Sequence, residues 1–178
     1  MSGVVRPGTA ADAGAIAEIY REAVLNGTAT YETEPPDAAE MARRLDVLVS
    51  AGFPYLVADD RGRVSGYAYA GPFRARAAYC WTVEDSIYVA KDAQGRGIGL
   101  RLLAALIERS TAAGFRQMVA VIGGREQVAS IAMHEKAGFA HVGLMPGVGF
   151  KHGRWLDNVL MQRALGEGAA SAPRPPSR

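Results

Sequence analysis

One cysteine, Cys80, stands in 178 residues, so no intramolecular disulfide framework can hold this chain together. A lone thiol of that kind suits a reducing compartment, and the chain is read as cytoplasmic. No apolar run approaches the ~18 residues needed to cross a membrane, so no membrane association is expected. The opening MSGVVRPGTAADAG also lacks the basic start and apolar stretch of a signal peptide. Charge of one sign is missing too: 20 basic against 18 acidic residues leave a formal net charge of +2, too small and dispersed to hold nucleic acid. His141 and His152 have no spacing with carboxylates or Cys80 that resembles a ligand set, so no metal site is expected.

What remains is an ordinary globular composition, 49% apolar and 21% charged, in a chain of one-domain length. Residues 1–165 are read as that domain. The following GEGAASAPRPPSR, residues 166–178, has no apolar periodicity and is read as a disordered tail.

Within the domain, Val4 and Val5 suggest a first strand. Thr9 and Asp12 stand at capping-box spacing before Ile16, Ile19, Tyr20, Ala23 and Val24, which recur at helical intervals as far as Asn26-Gly27. Gly27–Pro36 has no sustained period and reads as a loop. Asp37 and Glu40 open a second helix carrying Met41, Leu45 and Leu48. Tyr55–Ala58 and Val64–Ala70 form a hairpin pattern, and Trp81–Val89 a longer strand. Leu100–Glu108 is amphipathic at helical period, Met118–Ile122 a buried-type strand, Val128–Ala137 a short helix, and Ala140–Leu144 and Trp155–Gln162 two final strands. This order implies a mixed α/β sheet, without the strict alternation of a doubly wound fold or a barrel.

Two features carry chemistry. In QGRGIG, Gln94 to Gly99, glycines at alternate positions let backbone N–H groups converge beside a helix N-terminus, a setting suited to pyrophosphate. The dinucleotide fingerprint fails because Leu100 and Leu102 occupy its third-glycine frames, and the nucleotide P-loop fails for want of Gly-Lys-Ser/Thr. A plain glycine-rich turn capping a helix is the competing reading. Glu84 is the second feature: along its strand Thr82, Glu84, Ser86 and Tyr88 share one face. An acid there is either an ion-pair partner, a solvated group, or a general base that removes the proton an ammonium must lose before acyl transfer.

Four stretches decide between these alternatives: YAGPFRARAAYCWTVEDSIYV (69–89), QGRGIG, AVIGGREQVASIAMHEKAGF (120–139) and GFKHGRWLD (149–157). Together they resemble the GNAT acetyltransferase superfamily, and within it the phosphinothricin and methionine sulfoximine N-acetyltransferases. The resemblance implies a single-domain α/β fold, with a mixed, mostly antiparallel sheet flanked by helices. It implies acetyl-CoA as acyl donor, with its pyrophosphate on Gln94, Gly95, Arg96, Gly97, Ile98 and Gly99, and its pantetheine arm along Ile87, Tyr88 and Val89. Glu84 falls at the family's proposed base and His134 at a histidine given an acid/base role. Arg74, Arg76 and Tyr79 match the family's substrate loop, and Tyr31 another wall of the same pocket.

One position departs from the family. Gln127 stands where an Asn usually contacts the cofactor, after a loop one residue longer. The implied acceptor is a small-molecule amine, an amino acid analogue whose carboxylate a guanidinium can grip bidentately. Protein N-termini, aminoglycosides and polyamines are the rival acceptors, and a non-catalytic acyl-CoA sensor the rival class. The resemblance also implies a homodimer. Cys80, which could in principle carry an acyl group, has no matching family role and reads as a packing residue.

Overall fold

A computed structural model describes residues 3–173. The chain runs β1 (Val4–Pro7), α1 (Ala13–Asn26), α2 (Ala38–Ser50), β2 (Tyr55–Asp60), β3 (Arg63–Pro72), β4 (Thr82–Val89), α3 (Ile98–Ala112), β5 (Gln117–Gly123), α4 (Val128–Lys136), β6 (Ala140–Lys151) and β7 (Arg154–Ala164), with short 3-10 turns between some of them. The strands form one sheet in the order β1-β2-β3-β4-β5-β7-β6. Every neighbouring pair among the described strands is antiparallel except β4 and β5.

Local chemistry accounts for the element ends. Asp12 accepts from the Thr9 backbone N–H at 2.8 Å, completing the capping box that leads into α1, and two bonds from Arg6 at 2.8 and 2.9 Å hold its carboxyl down to about 2. Asp37 caps α2 through the Glu40 N–H at 2.8 Å. The β2–β3 turn tightens to Arg61-Gly62, both with positive φ as a type I′ hairpin requires, and His152-Gly153 repeats that device between β6 and β7.

The sheet is covered on both faces. On one side α3 packs Ile98, Leu102, Leu103 and Leu106, and α4 adds Ile131 and Met133, against Val83, Met118, Ala120 and Met161. On the other, α1 and α2 bring Ile16, Tyr20, Val24, Met41 and Leu45 onto Tyr55, Val57 and Tyr67. Burial of these side chains contributes on the order of 1.5–3 kcal/mol each before the entropy of ordering them is subtracted.

Two expectations change. β6 runs on to Lys151 instead of ending near Leu144, because its pairing with β7 continues past Pro146 and Gly147 through two bulges. The segment after Gly166 is not free at its start: Arg116 donates to the Gly168 carbonyl at 2.9 Å and to the Ser171 hydroxyl at 2.8 Å. Residues 174–178 of the expected tail lie outside the described residues.

Candidate active site

The parallel pair β4–β5 stays in register only from Thr82↔Gln117 to Asp85↔Ala120. Beyond that point β4 continues to Val89 and β5 to Gly123, but the two are no longer paired, so the sheet forks. Backbone N–H and C=O groups on the inner edges of a fork need partners, and an extended ligand carrying amides can supply them. A cleft of about 330 Å³ occupies the fork, lined among others by Glu84, Asp85, Ile87, Tyr88, Gly123 and His134. A second recess of about 320 Å³ adjoins it through Ile87, Tyr88 and Gln127 and reaches Val89, Lys91 and Gln94.

The glycine loop closes that path. Gly95 and Gly97 have φ of 74° and 73°, and Gly97 is the N-cap of α3, so neither position accepts an ordinary side chain without strain. A Cβ at either would meet nothing within 4 Å, leaving the backbone bare towards solvent. Gly99 differs: a Cβ there would come within 2.9 Å of Met133 Sδ, so its role is to let α3 approach α4. Gln94 folds back to the Val89 carbonyl at 3.3 Å. Arg96 is exposed, whereas Ile98 is buried in the core and can reach a ligand only through its backbone. This open turn at a fifteen-residue helix fits an anionic ligand such as pyrophosphate.

Side chains on β4 alternate between the two faces. Tyr88 packs edge-on to Tyr20 at 4.9 Å and against Tyr67 at 5.2 Å, so Glu84, Ser86 and Tyr88 belong to the α1–α2 side. Glu84 is half-buried in the cleft, and burial, followed by the charge of neighbouring Asp85, raises its pKa above the ordinary carboxylate value. Asp85 faces the α3–α4 side and is buried there. Its Oδ2 lies 3.0 Å from Nε2 of His134, whose Nδ1 lies 2.8 Å from the Ser130 carbonyl. Burial alone would lower the imidazolium pKa; the hydrogen bond and charge of Asp85, with the Ser130 carbonyl, outweigh it and hold the value above normal.

The loop between α1 and α2 forms the outer wall. Tyr31 donates its hydroxyl to the Asp157 carbonyl at 2.7 Å, and buried Lys151 donates to the Thr30 carbonyl at 2.8 Å. Gly149 has no Cβ to collide with the Tyr31 ring. Gln127 donates to the Thr28 hydroxyl at 2.9 Å while lining both the cleft and its recess.

Of the residues singled out from the sequence, Glu84, Ile87, Tyr88, Gln127, His134 and Tyr31 meet at the cleft. Val89 and Gln94 line its recess. Arg74, Arg76 and Tyr79 do not line it: both arginines are exposed, and Arg74 stacks on Phe73 and Tyr79 at 5.1 and 5.6 Å. They do follow β3 just beyond Gly71, the residue paired with Glu84. Cys80 does not line the cleft either. Asp85, Tyr69, Ser86 and Asn158 line it without having been singled out. Asp85 follows Glu84 directly in the sequence, but its partner lies 49 residues away and local pattern does not reveal it. Among the described residues no group of three or more His, Cys, Asp or Glu side chains is placed to hold a metal, and no helix is long and apolar enough to cross a membrane.

Comparison with known proteins agrees with this geometry. Residues 5–160 match the acetyltransferase (GNAT) domain. A phosphinothricin N-acetyltransferase of Alcaligenes faecalis is 46% identical over 162 residues, covering 91% of this chain and 82% of that one. An L-methionine sulfoximine/L-methionine sulfone acetyltransferase of Pseudomonas paraeruginosa is 44% identical over 174 residues, covering 97% of this chain and all of that one, 100%. The crystal structure of a GNAT superfamily phosphinothricin acetyltransferase from Sinorhizobium meliloti, in complex with AcCoA, has a TM-score of 0.94 at 56% identity, covering 98% of this chain and 94% of that one. With a forked parallel pair and a half-buried acid in one cleft, a glycine turn at the start of α3, and with these relatives, the chain belongs to the GNAT acetyltransferase family.

Proposed function

We propose that this protein moves the acetyl group of acetyl-CoA to the α-amine of a small amino acid analogue of the phosphinothricin, methionine sulfoximine or methionine sulfone type. The single observation that carries the reading is Glu84, a carboxylate of raised pKa set where β4 and β5 part, in a cleft whose adjoining recess reaches Gln94 at the start of the glycine turn. The named activities of the two curated relatives supply the acceptor class.

The donor lies along Ile87–Val89 with its pyrophosphate over Gly95–Gly99, which leaves the thioester near the fork. Glu84, directly or through a water, takes one proton from the acceptor's ammonium, and the freed amine attacks the thioester carbonyl carbon. A backbone N–H on the inner edge of β4, near Val89, meets the charge that develops on the carbonyl oxygen. The C–S bond then breaks, the thiolate leaves, and the new amide nitrogen gives its second proton to solvent; His134 and Asp85 are titratable groups buried on that side of the sheet. Arg74 and Arg76, on the segment that leaves β3 beside Glu84, are available to grip the acceptor's carboxylate.

Thiol release from acetyl-CoA across phosphinothricin, methionine sulfoximine, methionine sulfone and ordinary amino acids tests this. The expected result is turnover concentrated on the first three. Turnover only with polyamines, aminoglycosides or peptide N-termini would move the acceptor, and silence with every amine in the presence of acetyl-CoA binding would favour a sensor.

The reading includes a cytoplasmic homodimer. The outer strand β6 presents Val142, Leu144, Met145, Val148 and Phe150 to solvent, joined by Trp155 of β7 at 69% exposure. A second copy covering this apolar band would also brace Gly149 and Tyr31 at the outer wall. Sedimentation is expected to give a dimer that Phe150→Glu weakens; a monomer at all concentrations would remove this part of the reading.

A further inference from the structure

The pair Asp85–His134 is expensive in a way that packing does not require. Both side chains are nearly inaccessible, 2% for Asp85 and 4% for His134, and Asp85 Oδ1 is buried without a hydrogen-bond partner among the described residues. Buried ion pairs of this kind contribute little net stability, and an apolar pair of similar size would often serve the fold as well or better. The pair also sits on the cleft wall, across β4 from Glu84.

Hydrogen-bond geometry ties the protonation of the ring to that of Asp85. A carbonyl oxygen is an acceptor only, so Nδ1 of His134 must carry a hydrogen for Ser130. Nε2 faces a carboxylate oxygen, and an ionised carboxylate is also an acceptor only. With Asp85 ionised, both nitrogens donate, and the ring is an imidazolium with no bare nitrogen to act as a base. The other charged groups nearby do not replace Asp85: Glu135 and Lys136 of α4 are exposed, Glu84 projects from the opposite face of β4, and Arg163 of β7 bonds the Ala137 carbonyl. From β5 the neighbours are apolar, and Phe139 meets the imidazole edge-on at 5.0 Å.

We infer that Asp85 is a positioning residue for the acetyl transfer: it keeps His134 oriented and cationic on the donor side of the fork, where positive charge meets the departing thiolate. This inference rests on the transferase reading above. His134 enters the step as a fixed charge. Donating its Nε2 proton would leave a bare nitrogen lone pair against the Asp85 carboxylate, so the thiolate is protonated from solvent after it leaves.

The inference gives activity an alkaline limb, because turnover falls as the imidazolium loses its proton. Removing the carboxylate moves that limb down in pH. In Asp85→Asn, the His134 resonances, identified by their loss in His134→Gln, are expected to titrate at least about one pH unit lower than in the wild type. The alkaline limb of kcat should shift by the same amount, so that turnover at pH above both limbs falls by about tenfold, with acetyl-CoA affinity held within about twofold. Asp85→Glu, which keeps the charge, should recover most of the limb.

Three results would overturn it. The first is a His134 titration that moves while the kcat limb stays in place, the mark of a purely structural pair. The second is a titration that does not move. The third is an Asp85→Asn effect on kcat undiminished in a His134→Gln background, which is measurable even if either variant is less stable. A wild-type protein that releases thiol with no acceptor fails earlier, in the first assay, and removes the transferase reading itself.

Discussion

Glu84 and Asp85 are adjacent carboxylates on one strand, yet the sheet gives them opposite tasks. Glu84 faces the α1–α2 side among tyrosines, with the Gly27–Pro36 loop beyond it, and its raised pKa suits a group that must accept a proton. Asp85 faces the α3–α4 side, ion-paired to His134 beneath the helix that starts at the glycine cradle. Strand alternation, not residue type, separates them. The fork between β4 and β5 is where the two sides communicate, so an acceptor on one face can meet a donor held from the other.

This division can be broken from either side. The largest effect is expected from Glu84→Gln, which should lower kcat by at least about a hundredfold while acetyl-CoA binding, read by calorimetry, stays intact. If both fell together, Glu84 would belong to the donor site as well. Gly97→Ala attacks the other face: an L side chain at φ 73° costs about 1–2 kcal/mol, so acetyl-CoA should bind about five- to thirtyfold more weakly with little change in acceptor KM. A change confined to acceptor KM would contradict the cradle assignment. Smaller again is Tyr31→Phe, which removes the bond to Asp157 and should raise acceptor KM by about three- to tenfold, leaving donor KM alone.

Much of this was legible in the sequence because it is local. Alternation along 81–89, the glycines of QGRGIG, the Asp37 cap and the hairpin signal at Gly62 each act within a few residues, and each element formed where its pattern lay. The resemblance favoured the base reading of Glu84, already marked by strand alternation, and added His134. What stayed hidden is long-range. Nothing near Asp85 in sequence points to His134, and nothing near Lys151 points to Thr30, 121 residues earlier. The extent of β6 was obscured because Pro146, Gly147 and Gly149 erase the two-residue period, while the partner strand β7 supplies the pairing that keeps it extended. Arg74 and Arg76 illustrate the reverse case: their motif is plain in the sequence, but their side chains stand outside the cleft.

The central claim is that a carboxylate of raised pKa on the acceptor face starts the transfer, and the pH dependence of kcat/KM for the acceptor measures it most directly. Glu84 must be ionised to act, so activity should be lost as pH falls through its pKa, with the midpoint of that acid limb above that of an ordinary glutamate. Glu84→Gln should abolish the limb together with most of the rate. A variant that keeps the same acid limb and the same rate would contradict the account.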